Sequence, residues 1–152
     1  MPSISEEIKS SFENERQKAI VNILFTGSWL KNKHAELIKP YDISTQQYNI
    51  LRILRGAKNE QLTMQTVKSR MLEKSPNTTR LTDRLLSKKL IERKRSENDR
   101  RVVYVKITQK GLDLLAELDE NEMKDFQVMQ KNLSEEEGTQ LSNLLDKLRG
   151  NE

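Results

Sequence analysis

Cysteine is absent from this chain and histidine occurs once, as His34. The first absence excludes a disulfide framework, a cysteine nucleophile, a thiol redox sensor and a cysteine-liganded zinc. The second excludes a multi-histidine metal site. No run of about 18 apolar residues is present, which argues against a helical membrane span. The stretch from Met1 to Lys18 is too polar for a signal peptide. There is no nucleophile–base pair, no glycine loop with its phosphate-binding lysine and no metal-ligand set. The chain is therefore expected to be cytoplasmic, with no cofactor, no metal and no catalytic residues: not an enzyme.

Apolar residues are also scarce. They make up 34% of the 152 residues; counted with glycine in place of tyrosine the figure is roughly 35%, against the usual 45–50%. That deficit implies an elongated shape, or apolar surface that is covered only in an oligomer.

Charge is plentiful and unevenly spread. Residues 1–73 carry net +3, residues 74–106 net +7 and residues 107–152 net −6. A basic middle beside an acidic end is the footprint of a polyanion-binding module attached to a non-binding part. A solvated surface would account for the same charges.

The apolar spacing from Ser5 to Lys39 predicts one long helix stopped by Pro40. Ser44 or Thr45 should cap a second helix, with Gly56 near its end where a left-handed residue is useful. Thr63 should cap a short helix carrying Met64, Val67, Met71 and Leu72. After a turn at Glu73-Lys74, Ser75-Pro76 should open a helix running to about Lys88, with Pro at its first position. These two short helices form a helix-turn-helix. From Leu90 the pattern alternates: Ile91–Arg95 and Val102–Ile107 predict a hairpin with a long charged tip at 96–101. Thr108 should cap a helix with Leu112, Leu115, Leu118, Met123, Phe126 and Met129. A capping box at Ser134–Glu137 should open a last helix with Leu141, Leu144, Leu145 and Leu148.

On a helical wheel the helix from Ser75 has a core stripe of Leu81, Leu85 and Leu86. Its opposite side holds Asn77, Arg80, Asp83, Arg84 and Ser87. Guanidinium and amide groups are the ones that read guanine and adenine edges in a major groove. The first turns of such a helix make the base contacts, which favours Asn77, Thr79 and Arg80. Ser75 at the helix start suits a phosphate, and Arg84 could take either role. At the hairpin tip, Arg100 and Arg101 could enter a narrow minor groove. Asp99 is expected to hydrogen-bond within the tip and aim a guanidinium, while Lys94, Arg95 and Lys106 would meet the DNA backbone. Each feature alone is compatible with an ordinary exposed surface; it is their order along the chain that points to DNA. The competing reading is a winged-helix protein-interaction module that meets an acidic partner without specific DNA contact.

Thr79-Arg80-Leu81, Asp83-Arg84-Leu85-Leu86, Leu90-Ile91-Glu92-Arg93, Asp99-Arg100-Arg101 and Ile107-Thr108-Gln109-Lys110-Gly111 resemble the MarR family of winged helix-turn-helix regulators. So does the Gln46–Leu51 run upstream. Lys89 departs from the pattern, standing where the family commonly has glycine. Lys68 and Ser69 stand near a position usually held by alanine. The resemblance implies a mainly α fold with a small β-hairpin wing and long terminal dimerisation helices. It implies a homodimer whose terminal helices interlock, a recognition helix at 75–88 and a wing whose Asp99 and Arg101 orient and enter the minor groove. It also implies a pocket for a small-molecule effector between the two parts.

The domain expectation is a helical dimerisation region at 1–40 and 112–152 flanking a DNA-binding lobe at 41–111. The expected partners are a palindromic double-stranded operator and a second copy of the chain. The expected role is a transcriptional regulator, most simply a repressor. Trp29, His34, Tyr41 and Tyr48 cluster around the junction of the first two helices and are candidates for the effector pocket. Core packing is the competing role for Trp29 and Tyr48, and simple exposure for His34.

Overall fold

Asn14 divides what the apolar spacing presents as one long helix. Its side chain accepts the Gln17 N–H at 2.9 Å, and Lys9 before it adopts a left-handed φ of 51°. The computed structural model, which describes residues 2–58, 60–72, 77–97, 99 and 101–150, therefore has a short α1 (Ile4–Glu7) and a separate α2 (Glu15–Ile38). The single helix expected over 5–39 is thus corrected. An asparagine cap satisfies the free N–H groups of a new helix start, and apolar spacing alone does not register that. A 3-10 turn (Lys39–Tyr41) containing Pro40 ends α2, and Asp42 closes it in a left-handed conformation.

Ser44 caps α3 (Thr45–Gly56) in a reciprocal box with Gln47. Gly56 is still helical; the left-handed residue is Lys58, two positions later. Next come β1 (Leu62–Thr63) and α4 (Met64–Arg70), the latter capped by Thr63 accepting the Thr66 N–H at 3.1 Å. Leu72 falls beyond α4 and is exposed, so it does not belong to that helix's core stripe. The Glu73-Lys74 turn and the Ser75-Pro76 helix start lie outside the described residues.

The next helix, α5 (Thr78–Ser87), starts later than expected. The Leu81 N–H bonds the Asn77 carbonyl, and Asn77 takes the cap position. At its far end the Lys89 N–H bonds the Leu86 carbonyl and the Leu90 N–H bonds the Leu85 carbonyl, with Lys89 at φ 59°. This is the helix ending that glycine usually supplies, here made by a lysine.

The hairpin pairs β2 (Ile91–Arg95) with β3 (Val103–Ile107), Ile91 opposite Ile107 and Arg95 opposite Val103. β1 adds a third strand through Leu62–Val105 and Thr63–Tyr104, giving the order β1-β3-β2. Two residues are too few to show an alternation, so only the hairpin was visible in the sequence. β2 is an edge strand, and after buried Ile91 its residues are exposed and charged, a protection against edge-to-edge pairing.

Thr108 turns the chain into α6 (Gln109–Gln130). Its hydroxyl donates to the Lys89 carbonyl at 2.8 Å and accepts the Gly111 N–H at 3.2 Å. Ser134 and Glu137 form the box that opens α7 (Glu135–Arg149). The side chains of Met123, Phe126 and Met129 lie outside the described residues. Among those described, no helix is long and apolar enough to cross a membrane.

The core is built around α3. Ile50, Leu51 and Leu54 are fully buried with Ile38, Val67, Leu85, Leu90, Val105, Leu115 and Leu118. The helix-turn-helix, the sheet and the start of α6 thus share one apolar centre.

Candidate nucleic-acid interface

Helix α5 turns Thr78, Thr82 and Leu85 inward and leaves Asn77, Thr79, Arg80, Asp83 and Arg84 exposed. Thr82 is buried because its hydroxyl is spent locally, donating to the carbonyls of Thr78 and Thr79 at 3.1 and 2.8 Å. Of the expected contact residues, Asn77, Thr79, Arg80 and Arg84 therefore share an outer face. Ser75 and Arg100 lie outside the described residues.

The amides of α3 bond this helix and the segment after α4. Buried Gln47 donates Nε2 to the Leu81 carbonyl at 3.3 Å, and Asn49 Oδ1 accepts the Leu72 N–H at 3.0 Å. Gln46, Asn77, Arg80, Leu81 and Arg84 line a cleft of about 330 Å³. Sequence reasoning did not assign Gln46 to the site. The signal was there: Gln46 and Asn49 are amides three apart, on one side of a helix.

The wing is joined to α5 through its stem. Arg93 Nη1 on β2 lies 2.7 Å from Asp83 Oδ1 on α5. At the tip, the Asp99 carboxylate accepts the Arg101 backbone N–H at 2.9 Å, and the Asp99 N–H reaches the Ser96 hydroxyl at 3.3 Å. Asp99 thus bonds within the wing, as expected, but to the main chain at Arg101. Arg101 and Arg95 are exposed; Lys94 is exposed and pairs with Glu97 at 3.2 Å, and Lys106 is half-buried.

Lys88, at the end of α5, bonds both the carboxylate and the carbonyl of Asp42. That hydrogen bond first, then the lysine's charge and that of Arg84, hold the Asp42 carboxyl below its ordinary value.

The four candidate pocket residues are only partly brought together. The rings of His34 and Tyr48 lie 4.5 Å apart, tilted by 60°. Arg52 sits over the Tyr48 ring, donates to its hydroxyl at 2.9 Å and reaches Asp119 of α6 at 3.3 Å. Arg55 makes a two-pronged bond to the same carboxylate. Tyr41 turns to α6 instead, donating to Glu117 at 3.1 Å and accepting from Asn121 at 2.9 Å. Desolvation, then the Glu117 bond, push its phenol above the ordinary value. Trp29 is half-buried on α2, outside the core cluster.

Known proteins share this fold. Residues 33–118 match the family model described as transcriptional regulator SarA/Rot. The HTH-type transcriptional regulator MhqR of Bacillus subtilis (strain 168) is 30% identical over 117 residues, covering 77% of each chain. A MarR transcription factor from Planctomyces limnophilus superposes with a TM-score of 0.69 at 32% identity, covering 89% of this chain and 98% of that one. A cysteine-to-serine mutant of MarR from E. coli, solved with operator DNA, gives a TM-score of 0.70 at 28% identity, covering 91% and 99%. With a mostly helical fold, a three-stranded wing sheet and these relatives, the chain belongs to the SarA/Rot transcriptional regulators, of the MarR winged-helix type and not an enzyme.

Proposed function

We propose that this regulator acts as a homodimer on a palindromic double-stranded operator. Each α5 lies in a major groove and each Arg101 enters the adjacent minor groove. The lobe at 41–111 carries the DNA contacts, and the segments 1–40 and 112–152 make the dimer. Two recognition helices would then sit about 34–36 Å apart, one turn of the duplex. The observation that carries this reading is the common outer face of Asn77, Thr79, Arg80 and Arg84, tied to the wing by Arg93 and Asp83. The operator-bound E. coli MarR mutant, of the same fold, supports it.

Asn77, Thr79 and Arg80 are the proposed base readers. Arg101 is the minor-groove residue, with Asp99 holding its backbone and Arg100 beside it in the sequence, and Lys94, Arg95 and Lys106 add backbone affinity. Ser75 is proposed as a phosphate contact. Regulation is proposed to be repression relieved by a small molecule bound between the lobe and the terminal helices, near His34, Tyr48, Tyr41 and Trp29. Such a ligand shifts the protein only by its differential affinity for the two states. Selection of bound genomic fragments with and without a panel of metabolites would give both operator and effector class.

A duplex titration at several salt concentrations tests the DNA reading. Log K should fall steeply with log salt. Arg80→Ala and Arg101→Ala should each weaken binding by about 1–3 kcal/mol. Equal binding by the parent chain and both variants discards the assignment.

A further inference from the structure

The cleft lined by Gln46, Asn77, Arg80, Leu81 and Arg84 joins the recognition helix to a helix outside the helix-turn-helix. Its walls cannot drift apart freely, because Gln47, next to Gln46, bonds the Leu81 carbonyl across them. Two guanidinium groups and two amides line it, with no carboxylate among the described residues. At about 330 Å³ it is near the lower limit for a small-molecule site, and Leu81 is the one apolar side chain among its described lining residues. This donor-rich, cationic lining suits an oxyanion.

The position of Arg84 decides which oxyanion. It stands one turn, about 6 Å, beyond Arg80 along α5. Asp42, just ahead of α3, is bonded by Lys88 and also feels the charge of Arg84. Arg84 therefore lies toward the segment that leads into α3, about two turns along α5 from Asn77 and Thr79 at the start of the helix, where base edges would be read. A guanidinium at the flank, facing an amide on a second helix, is placed for the sugar-phosphate chain beside the groove.

We propose that Gln46 and Arg84 together hold one backbone phosphate of the bound duplex, making Arg84 a docking residue and not a base reader. The inference rests on the DNA-binding reading. It adds Gln46 to the interface and gives Arg84 one of the two roles open to it.

Anisotropy titrations of the full chain against a genomically selected duplex and a scrambled one, over a salt series, test it. Arg84→Ala should weaken both complexes by the same factor, about tenfold or more, and reduce the slope of log K on log salt by about 1. Gln46→Ala should weaken both equally, by about 3- to 10-fold, with the slope unchanged because glutamine is neutral. Arg84→Lys should restore the slope. Thermal melting of each variant reports that the fold is kept. If Arg84→Ala changes the ratio between the two duplexes, or if either alanine variant binds like the parent, the phosphate seat is wrong while the DNA reading stands. If the parent chain binds neither duplex, the DNA reading itself fails and takes the seat with it.

Discussion

Arg93, on the first strand of the wing, lies 2.7 Å from Asp83 on the recognition helix. The two elements that would enter adjacent grooves are thereby joined by an ion pair as well as by shared core. On the proposed DNA-reading face the contact would also keep Asp83 from repelling phosphate.

Both partners are partly exposed, so the pair should stabilise modestly. A double-mutant cycle on Asp83→Ala and Arg93→Ala should give a coupling of about 0.2–1 kcal/mol, smaller in 1 M salt. Zero coupling at low salt would mean that apolar contacts alone fix the wing against the helix.

The turn after α5 yields a second expectation. Lys89 holds a φ of 59° with its side chain in solvent, a conformation that costs an L-residue roughly 1–2 kcal/mol. Glycine there loses little packing but gives up chain entropy on folding. Lys89→Gly should therefore raise stability by about 0.5–1 kcal/mol in denaturant unfolding. A lower midpoint would show that the lysine makes a compensating contact.

Gly111 should behave in the opposite way. A Cβ at this position would lie 2.3 Å from the Leu90 carbonyl oxygen and 2.7 Å from Ile107 Cγ1. The first neighbour is backbone, so the start of α6 would have to move away from the recognition helix's exit. Gly111→Ala should cost about 1–3 kcal/mol. An unchanged melting curve would show that α6 can shift without loss.

Legibility in the sequence followed how local each signal is. The caps at Ser44 (read as Ser44 or Thr45), Thr63, Thr108 and Ser134 and the two strands of the hairpin come from short-range chemistry, and they stand as read. Asn14 was passed over because the apolar spacing runs on across it. The late start of α5 reflects backbone bonding at Asn77 that a Ser-Pro pair does not reveal. In the site, the outer face of α5 followed from helical periodicity. Gln46, Arg93 and Asp42 did not, because their roles depend on partners 10 to 46 positions away. Tyr41 and Tyr48 are near in sequence, yet they turn to different partners, Glu117 and His34.

Acid should break the exposed Asp42–Lys88 link only below the pH at which an ordinary aspartate protonates. Lys88 depresses the Asp42 carboxyl in the folded chain below the 3.8 of an ordinary aspartate. The pair's contribution is present above that unfolded value and is lost as pH falls through the lower, folded one. In a carboxyl-carbon NMR titration, Lys88→Met should move the Asp42 midpoint up toward 3.8. An unmoved midpoint would assign the depression to something other than Lys88.

The terminal helices carry the proposed dimer. On α2, Ile20, Ile23, Leu24 and Leu30 are exposed, and on α7 so are Leu141, Leu144 and Leu148. Single exposed leucines are ordinary, but two helices each lined with them in a chain short of apolar residues fit the proposed surface that a second copy would cover. Leu24 is 69% exposed and Leu144 63%, so a charge at either costs the isolated chain almost nothing. In the dimer the same charge would be buried without a partner, at a cost of several kcal/mol. Analytical ultracentrifugation at micromolar concentration should find the parent chain at twice 17.8 kDa and Leu24→Asp or Leu144→Asp shifted toward 17.8 kDa. The charged variants should also lose most affinity for a palindromic site while keeping their helical content. A parent chain that sediments as a monomer would leave those leucines unexplained and would remove the paired-groove geometry.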